Sequence, residues 1–536
     1  MIQMKVPDDI LAIERPRYTI VEPYSSGRYA VRTRIDRFDD KGNLEYRKNQ
    51  VIGYITDKFC PSSKEKRIKS FGRIDSKMFG AAFLYNELCK DILDDLCEFY
   101  DYLDAEWIYC AALLRACYPG LCDCKMESRF KHSFVSEMYK GAVFNKDRCT
   151  KMFTLLGEQF TTTEKFMMKR LKDLDEDDLV IIDGSLKQDN GKENTYSRIS
   201  RKTAAAKVCH HLMMYAYSPK LEEPLGSKIY SGNVPDAVAV KDFVERLNIF
   251  SGLIVADRGF RPEAMTRVIA KHEGLHYLVP LIKGREVTVT SDVFSFNDVL
   301  MRDNGPISCK KCKAKDKDGN DLGYWLYSYK DSDIEALMKK EYLEHHASNL
   351  DPKLFEAEAK WFGTLVLQSD AELDAEFAYN AYDDRWGIEP LFKLQKTGLD
   401  IDTANEKSDE TLVGSEFVNF VATLMAARLR KHLAQFDSCR NRSFQDLLSE
   451  LCDCVKVKEA DGDWEYRTST NKDMKFYVKV GAVTDPDIVK LYTKPEPVAP
   501  AVPGKRGRPK GRKDSSPRKR RTVAEMTAAR SNNKST

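Results

Sequence analysis

The 536-residue chain has only eight histidines, and none falls in an HExxH pattern that would seat a zinc protease. It has no Gly-x-Ser-x-Gly elbow, so Ser185 reads as a turn hydroxyl and not as a nucleophile. No apolar stretch looks long enough to span a membrane. The opening "MIQMKVPDDI" lacks a basic stretch followed by an apolar run, so no signal peptide is read there. Internal repeats are absent as well. The fourteen cysteines are scattered, several in apolar helical stretches (Cys89, Cys97, Cys110, Cys117). That pattern suits reduced, buried thiols in a cytosolic chain. "CKKC" at Cys309–Cys312 offers half of a zinc site, but Cys122/Cys124 and Cys452/Cys454 have the wrong spacing to complete it.

Net charge is also small, at +3, but unevenly spread. Residues 494–536 hold 13 Lys/Arg against 3 Asp/Glu, leaving 73 against 80 in the remainder. A mildly acidic body with a strongly basic tail points to a tail that meets a polyanion. The tail is Pro-, Lys- and Arg-rich and is expected to be disordered. Its "KRGRPKGRK" resembles an AT-hook, with Arg506 and Arg508 flanking Gly507. Narrow A·T-rich minor grooves attract arginine. The competing reading is a generic polybasic arm.

The length allows two or three domains. Residues 1–75 read as a small β segment, in which "DDKGN" turns a hairpin. Residues 76–178 read as helical. The texture then changes to α/β. "DDLVIIDGSL" and "FSGLIVADRGF" look like buried strands that end in Asp183 and Asp257. Strand material, a turn and an amphipathic helix lie between them. We assign 179–290 and 366–440 to two parts of one α/β core, 291–365 to a β-rich insertion and 441–493 to a mixed region with strand-like "KFYVKVGAV". Ser369 and Glu372 suggest a capping box opening the helix of the second part.

That helix carries "AYDDRWGIEPLFKLQK", with Tyr382, Arg385, Glu389 and Lys396 at offsets 0, 3, 7 and 14. At about 100° per residue the last three fall at about 300°, 340° and 320° from the first. Ile388, Leu391 and Leu394 fall on the opposite side. The pattern fits either a solvated polar stripe or one face presenting a phenol, a guanidinium, a carboxylate and an ammonium together. Pro390 should kink or break the helix. Carboxylates gathered at strand ends and on one helix face suit hard cations such as Mg²⁺. Two such ions support phosphoryl transfer, and neighbouring cationic side chains bind the phosphates.

The chain resembles bacterial insertion-sequence DDE transposases of the IS-four superfamily. Tyr382, Arg385, Glu389 and Lys396 match the signature Y-x2-R-x3-E-x6-K in type and spacing. "IIDGS" and "VADRGF" resemble the strands of the first and second acids, "SGNVPD" the segment between them, and "KWFGTLVLQSD" the close of the insertion. "ADRGF" suggests the subgroup. The resemblance spans about residues 180–435. It implies a ribonuclease-H-like core interrupted by a β-rich insertion, with Asp183, Asp257 and Glu389 as catalytic metal ligands for two Mg²⁺ (or Mn²⁺) ions. It also implies an enzyme that cleaves the ends of a mobile DNA element and joins the 3′-hydroxyls to target DNA. Double-stranded DNA and a homodimeric synaptic complex would be the partners, with no membrane, in a bacterial cytoplasm at the nucleoid.

Tyr382, Arg385 and Lys396 would hold the DNA strand. Arg258 is a further phosphate candidate, with a salt bridge as its alternative. Trp361 lies where some relatives carry a tryptophan that stacks on a flipped base. A packed core role competes, and Trp386 competes for the stacking. The alternative functions are a domesticated DNA-binding protein and a plain metal-dependent nuclease on the same fold.

Overall fold

The computed structural model describes residues 6–16, 19–25, 27–38, 44–61, 74–172, 178–191, 193–302, 305–347, 349–459, 462–468 and 470–493. The "DDKGN" turn and the tail with Arg506 and Arg508 lie outside them. Residues 1–484 form one compact unit and 485–536 another. The described part of the second is the helix Pro486–Thr493.

The first strands, β1 (Thr19–Ser25), β2 (Arg28–Phe38), β3 (Leu44–Ile55) and β4 (Phe59–Pro61), form an antiparallel sheet in sequence order. Its inner face buries Val31, Ile52 and Ile55 with Leu103. β5 (Asp75–Met78) leaves this sheet and pairs much later in the chain. Helices Gly80–Leu96, Tyr102–Cys117, Lys146–Glu158 and Phe160–Leu171 follow. The second of these is buried almost all round, which is why its apolar pattern carries little polar stripe.

The remaining strands up to residue 404 join one large mixed sheet. They are β6 (Leu179–Asp189), β7 (Arg198–Ile199), β8 (Cys209–Ser218), β9 (Glu223–Ser231), β10 (Gly252–Ala256), β11 (Leu275–Pro280), β12 (Asp298–Arg302), β13 (Gly305–Lys315), β14 (Asp321–Asp331), β15 (Thr364–Ser369) and β16 (Thr403–Ala404). The fold is therefore mixed α/β. At its centre the order is β9-β8-β6-β10-β11, with β8 antiparallel to both β9 and β6, and β10 parallel to both β6 and β11. β6 buries Val180, Ile181 and Ile182 fully, as a central strand covered on both faces must. The β-rich block of 291–365 is hydrogen-bonded to this sheet, since β14 pairs with β15 and β15 with β11. The two ends of "LEHHASNLDPKLFEAEAK" fall in helices Ser332–His345 and Pro352–Ala359.

The helix Asp409–Ala434 is the spine. By length and composition it could cross a membrane, which corrects the reading that no stretch qualifies; 89% of that apolar stretch is buried inside the protein. It opens with a capping box between Ser408 and Thr411. Gly414 and Gly157 let it meet the helix Lys146–Glu158 backbone to backbone, because a Cβ on either would strike main-chain atoms of Phe153 or Glu410. Buried charges tie it to the sheet. Lys187 Nζ lies 2.7 Å from both Glu416 carboxylate oxygens, and His211 Nε2 lies 3.9 Å from Glu416 Oε1. Arg115 donates to Ser415 O at 2.9 Å and Asn419 Oδ1 at 2.8 Å, which brings in the N-terminal helices.

After residue 440, β17 (Val455–Lys458) pairs with β5 and with β18 (Glu465–Arg467). The strand-like reading of "KFYVKVGAV" is corrected, because Asn471–Lys479 is a helix. Thr470 and Asp473 cap it reciprocally, and Met474 and Tyr477 share its buried side at helical spacing.

Candidate active site

Asp183 and Asp257 come together at the centre of the sheet. β10 runs parallel to β6 with Ala256 opposite Ile182, so each acid directly follows a register partner. Adjacent strands are about 4.8 Å apart, which brings the two carboxylates into each other's field. The Asp183 carboxyl is pushed up to about 6, chiefly by burial. The charges of Asp257 and Asp236 push the same way, while the Gly184 N–H and Arg385 oppose them. Gly184 N donates to Asp183 Oδ1 at 2.8 Å.

The signature stretch is not one helix. It breaks into an α-helix Ala375–Asp383, a 3-10 turn Asp384–Gly387, an α-helix Ile388–Lys393 and a π-turn Leu394–Gly398. Pro390 therefore sits in the first turn of a new helix, where a missing N–H costs nothing in the ladder. The capping-box expectation is corrected too. Ser369 ends β15, and Asp374 caps the helix by accepting from Glu376 N and Phe377 N. Strand β14 orients that entrance: Tyr327 Oη accepts from Leu373 N at 2.6 Å and Tyr329 Oη donates to Ala375 O at 2.7 Å. β12 adds Arg302, which donates to Asn380 and stacks on Tyr379.

The breaks disperse the single polar stripe expected from a continuous helix. Arg385 is turned inward and only 5% exposed, with its Nε lacking a partner. Its guanidinium lies 4.4 Å from the Trp386 ring centre and 5.3 Å from that of Tyr382. The Tyr382 hydroxyl is raised above its ordinary value, first by burial; Arg385 opposes that and Asp257 adds to it. Tyr382, Arg385, Asp183 and Asp257 thus share one electrostatic neighbourhood.

Glu389 and Lys396 are exposed. The Glu389 helix packs on β6, with Phe392 edge-on to Tyr215, the register partner of Asp183, at 5.9 Å between ring centres. Yet among the described residues no three His, Cys, Asp or Glu side chains lie close enough to hold one ion. The structure brings two of the three acids together and leaves the third on the exposed side of an adjacent helix.

The donor chemistry fits a hard divalent cation. Mg²⁺ is commonly held by one or two carboxylates with waters and substrate phosphate completing its shell. A half-buried Asp183 whose ionised form is disfavoured is also a group that a cation would relieve.

Residues 176–414 match the family model described as Transposase DDE domain. That match supports a DDE transposase. The matched DDE domain contains both aspartates and the Glu389 helix. No curated protein matches the chain. Among solved structures, a piggyBac transposase synaptic complex with hairpin DNA, determined by cryo-EM, is similar at 12% identity and a TM-score of 0.35, over 70% of this chain and 78% of that one. A likeness so low carries no argument.

Other expectations in the DDE domain resolve individually. Trp361 is only 7% exposed, packed with Leu281, Val293, Leu326 and Val366 and edge-on to Phe294, so its packed-core alternative describes it. Trp386 is 56% exposed. Arg258 is exposed and makes no carboxylate pair among the described residues. Ser185 is buried inside β6 and not in a turn. Cys309 and Cys312 are three apart on β13 and so point to opposite faces, which cannot seat one zinc ion.

Sequence reasoning gave Asp236 no role. Its carboxylate lies against both acid turns, because a Cβ on Gly184 would sit 3.4 Å from Oδ1 and one on Gly259 3.6 Å from Oδ2. The only sequence signal was an acid opening a helix after Pro235.

Proposed function

We propose that this protein is a DNA transposase that cleaves the ends of a mobile element and joins the freed 3′-hydroxyls to target DNA. The observation that carries the reading is the register of Asp183 beside Asp257 on parallel strands, within a segment that matches a transposase DDE domain. Three antiparallel strands continued by two parallel ones, with Asp183 within β6 and Asp257 just past the end of the adjacent β10, support a ribonuclease-H-like core. Complete agreement with the Tyr382–Arg385–Glu389–Lys396 spacing supports the IS-four assignment.

Asp183 and Asp257 would hold Mg²⁺ or Mn²⁺, with Glu389 completing the set from its exposed helix. When bound, two such ions supply the charge stabilisation that phosphoryl transfer needs. The chain's own groups do the rest. Arg385 sits buried beside Asp183, so it sets the local field and carries a fixed positive charge toward a phosphate. Tyr382 positions that guanidinium. Lys396 and Arg258, both exposed, bind the strand on either side. Trp386 offers an exposed ring for a base. Arg506 and Arg508 would enter an A·T-rich minor groove. Each DNA end would be held by one copy of a homodimer.

The test is cleavage of a labelled duplex carrying the element end. D183A, D257A and E389A should each abolish cutting and joining while keeping DNA affinity, because the phosphate contacts come from other side chains. Normal cutting by E389A would remove the third acid from the mechanism.

A further inference from the structure

Between Thr195 and His210 the chain has four cations, Arg198, Arg201, Lys202 and Lys207, and no acid. The segment makes β7 and then a 3-10 turn, Arg201–Ala206. Ser200 caps the turn at Lys202 N, Thr203 departs from helical angles, and Lys207 closes it in the left-handed region at φ 53°. All four cations are exposed, and so are Ala204, Ala205 and Ala206 among them. Arg198 donates to the neighbouring Ser197 carbonyl, while Arg201 and Lys207 make no carboxylate pair among the described residues. Small side chains between free cations leave room for a polyanion to approach the backbone.

One cation of the four is anchored, and its anchor is Asp236. Lys202 Nζ lies 2.7 Å from Asp236 Oδ2, and the same carboxylate rests against Gly184 and Gly259 beside the two acids. The sheet register sets the spacing. Arg198 pairs with His210, which faces Gln188, five residues along β6 from Asp183. At about 3.3 Å per residue along the strand and two strand spacings of about 4.8 Å across, Arg198 is about 19 Å from Asp183, the span of about six nucleotides at 3.4 Å each. Arg258, Lys393 and Lys396 are exposed as well.

We infer that the Arg198–Lys207 turn binds phosphates of the DNA strand within about six nucleotides of the reacting one, with Asp236 holding the turn at the acids through Lys202. This rests on the DNA-cleaving reading and extends it to a segment outside the signature.

The test is fluorescence anisotropy of the full chain with a labelled duplex, across a salt series. The variant R198A/R201A/K207A leaves the Lys202–Asp236 pair intact and changes only exposed side chains. Each phosphate that the variant no longer neutralises should lower the slope of log K against log salt by about 0.9. A fall of about 2 to 3 is expected, with an unchanged urea midpoint. Lys207→Glu alone, on an exposed side chain, should weaken binding severalfold. If the wild type binds and cuts DNA but both variants keep its affinity and slope, the turn is not a phosphate site and the transposase reading stands. If the wild type binds no DNA at all, both fall.

Discussion

Asp183→Asn should make the cation-free protein more stable at neutral pH. The carboxyl rises from 3.8 to about 6 on folding, mainly because burial disfavours its charge. An acid raised in this way binds its proton more tightly in the folded state. Below about pH 4 both states are protonated and nothing is lost. As pH rises toward 6 the unfolded chain releases the proton and the folded one resists, so stability falls across that window and stays lower above it. One pH unit is worth about 1.36 kcal/mol, so the full cost above pH 6 is about 3 kcal/mol. Asparagine removes the charge, and its carbonyl oxygen can still accept from Gly184 N. Urea unfolding with EDTA should therefore show a gain of about 2 to 3 kcal/mol at pH 8 that shrinks toward zero near pH 4. Mg²⁺ at 100 times its dissociation constant should add about 2.7 kcal/mol to the wild type and much less to the variant, closing the gap. A variant less stable than wild type at pH 8, or a gain independent of pH, would refute the reasoning.

The Lys187–Glu416 pair is buried and ties the spine helix to β6, with burial opposed by Lys187 and His211 so that the Glu416 carboxyl is held below its ordinary range. E416A should cost about 3 to 5 kcal/mol by urea unfolding, whereas K187M/E416L should lose far less, since no charge is left unpaired. Arg385→Met should move the acid limb of the cleavage pH profile upward, because Arg385 opposes the rise of Asp183; an unmoved limb would place the guanidinium elsewhere. K396A should reduce the salt dependence of DNA binding by about one phosphate's worth, and an unchanged slope would make Lys396 a bystander. Deleting residues 501–536 should leave the urea midpoint unchanged and weaken binding most on A·T-rich duplex; an equal loss on G·C-rich duplex would mean a generic polybasic arm.

The sequence by itself determined the elements whose signal is local. "VIIDGS" and "LIVADRG" read as buried strands because fully apolar runs need burial on both faces, and β6 and β10 contain them, but the expectation that the first strand ends in its acid is corrected, because β6 runs six residues past Asp183 to Asp189. The spacing Tyr382, Arg385, Glu389, Lys396 was legible as a set, as were the mixed α/β class and the uneven charge. Tertiary structure decided what depends on groups far apart in the chain. A helical projection of the signature assumed one unbroken helix, and the 3-10 and π turns around Pro390 instead bury Arg385 and expose Glu389. Trp361 became core because five apolar side chains from other strands and loops close over it. "KFYVKVGAV" alternates well enough for a strand, but the cap at Thr470 and its packing partners made a helix. Asp236 was illegible for the same reason. Its carboxylate lies beside Gly184 and Gly259, 52 residues before it and 23 after, and so next to Asp183 and Asp257. Local pattern fixes which groups are available; only the packing of distant strands decides which of them share a field.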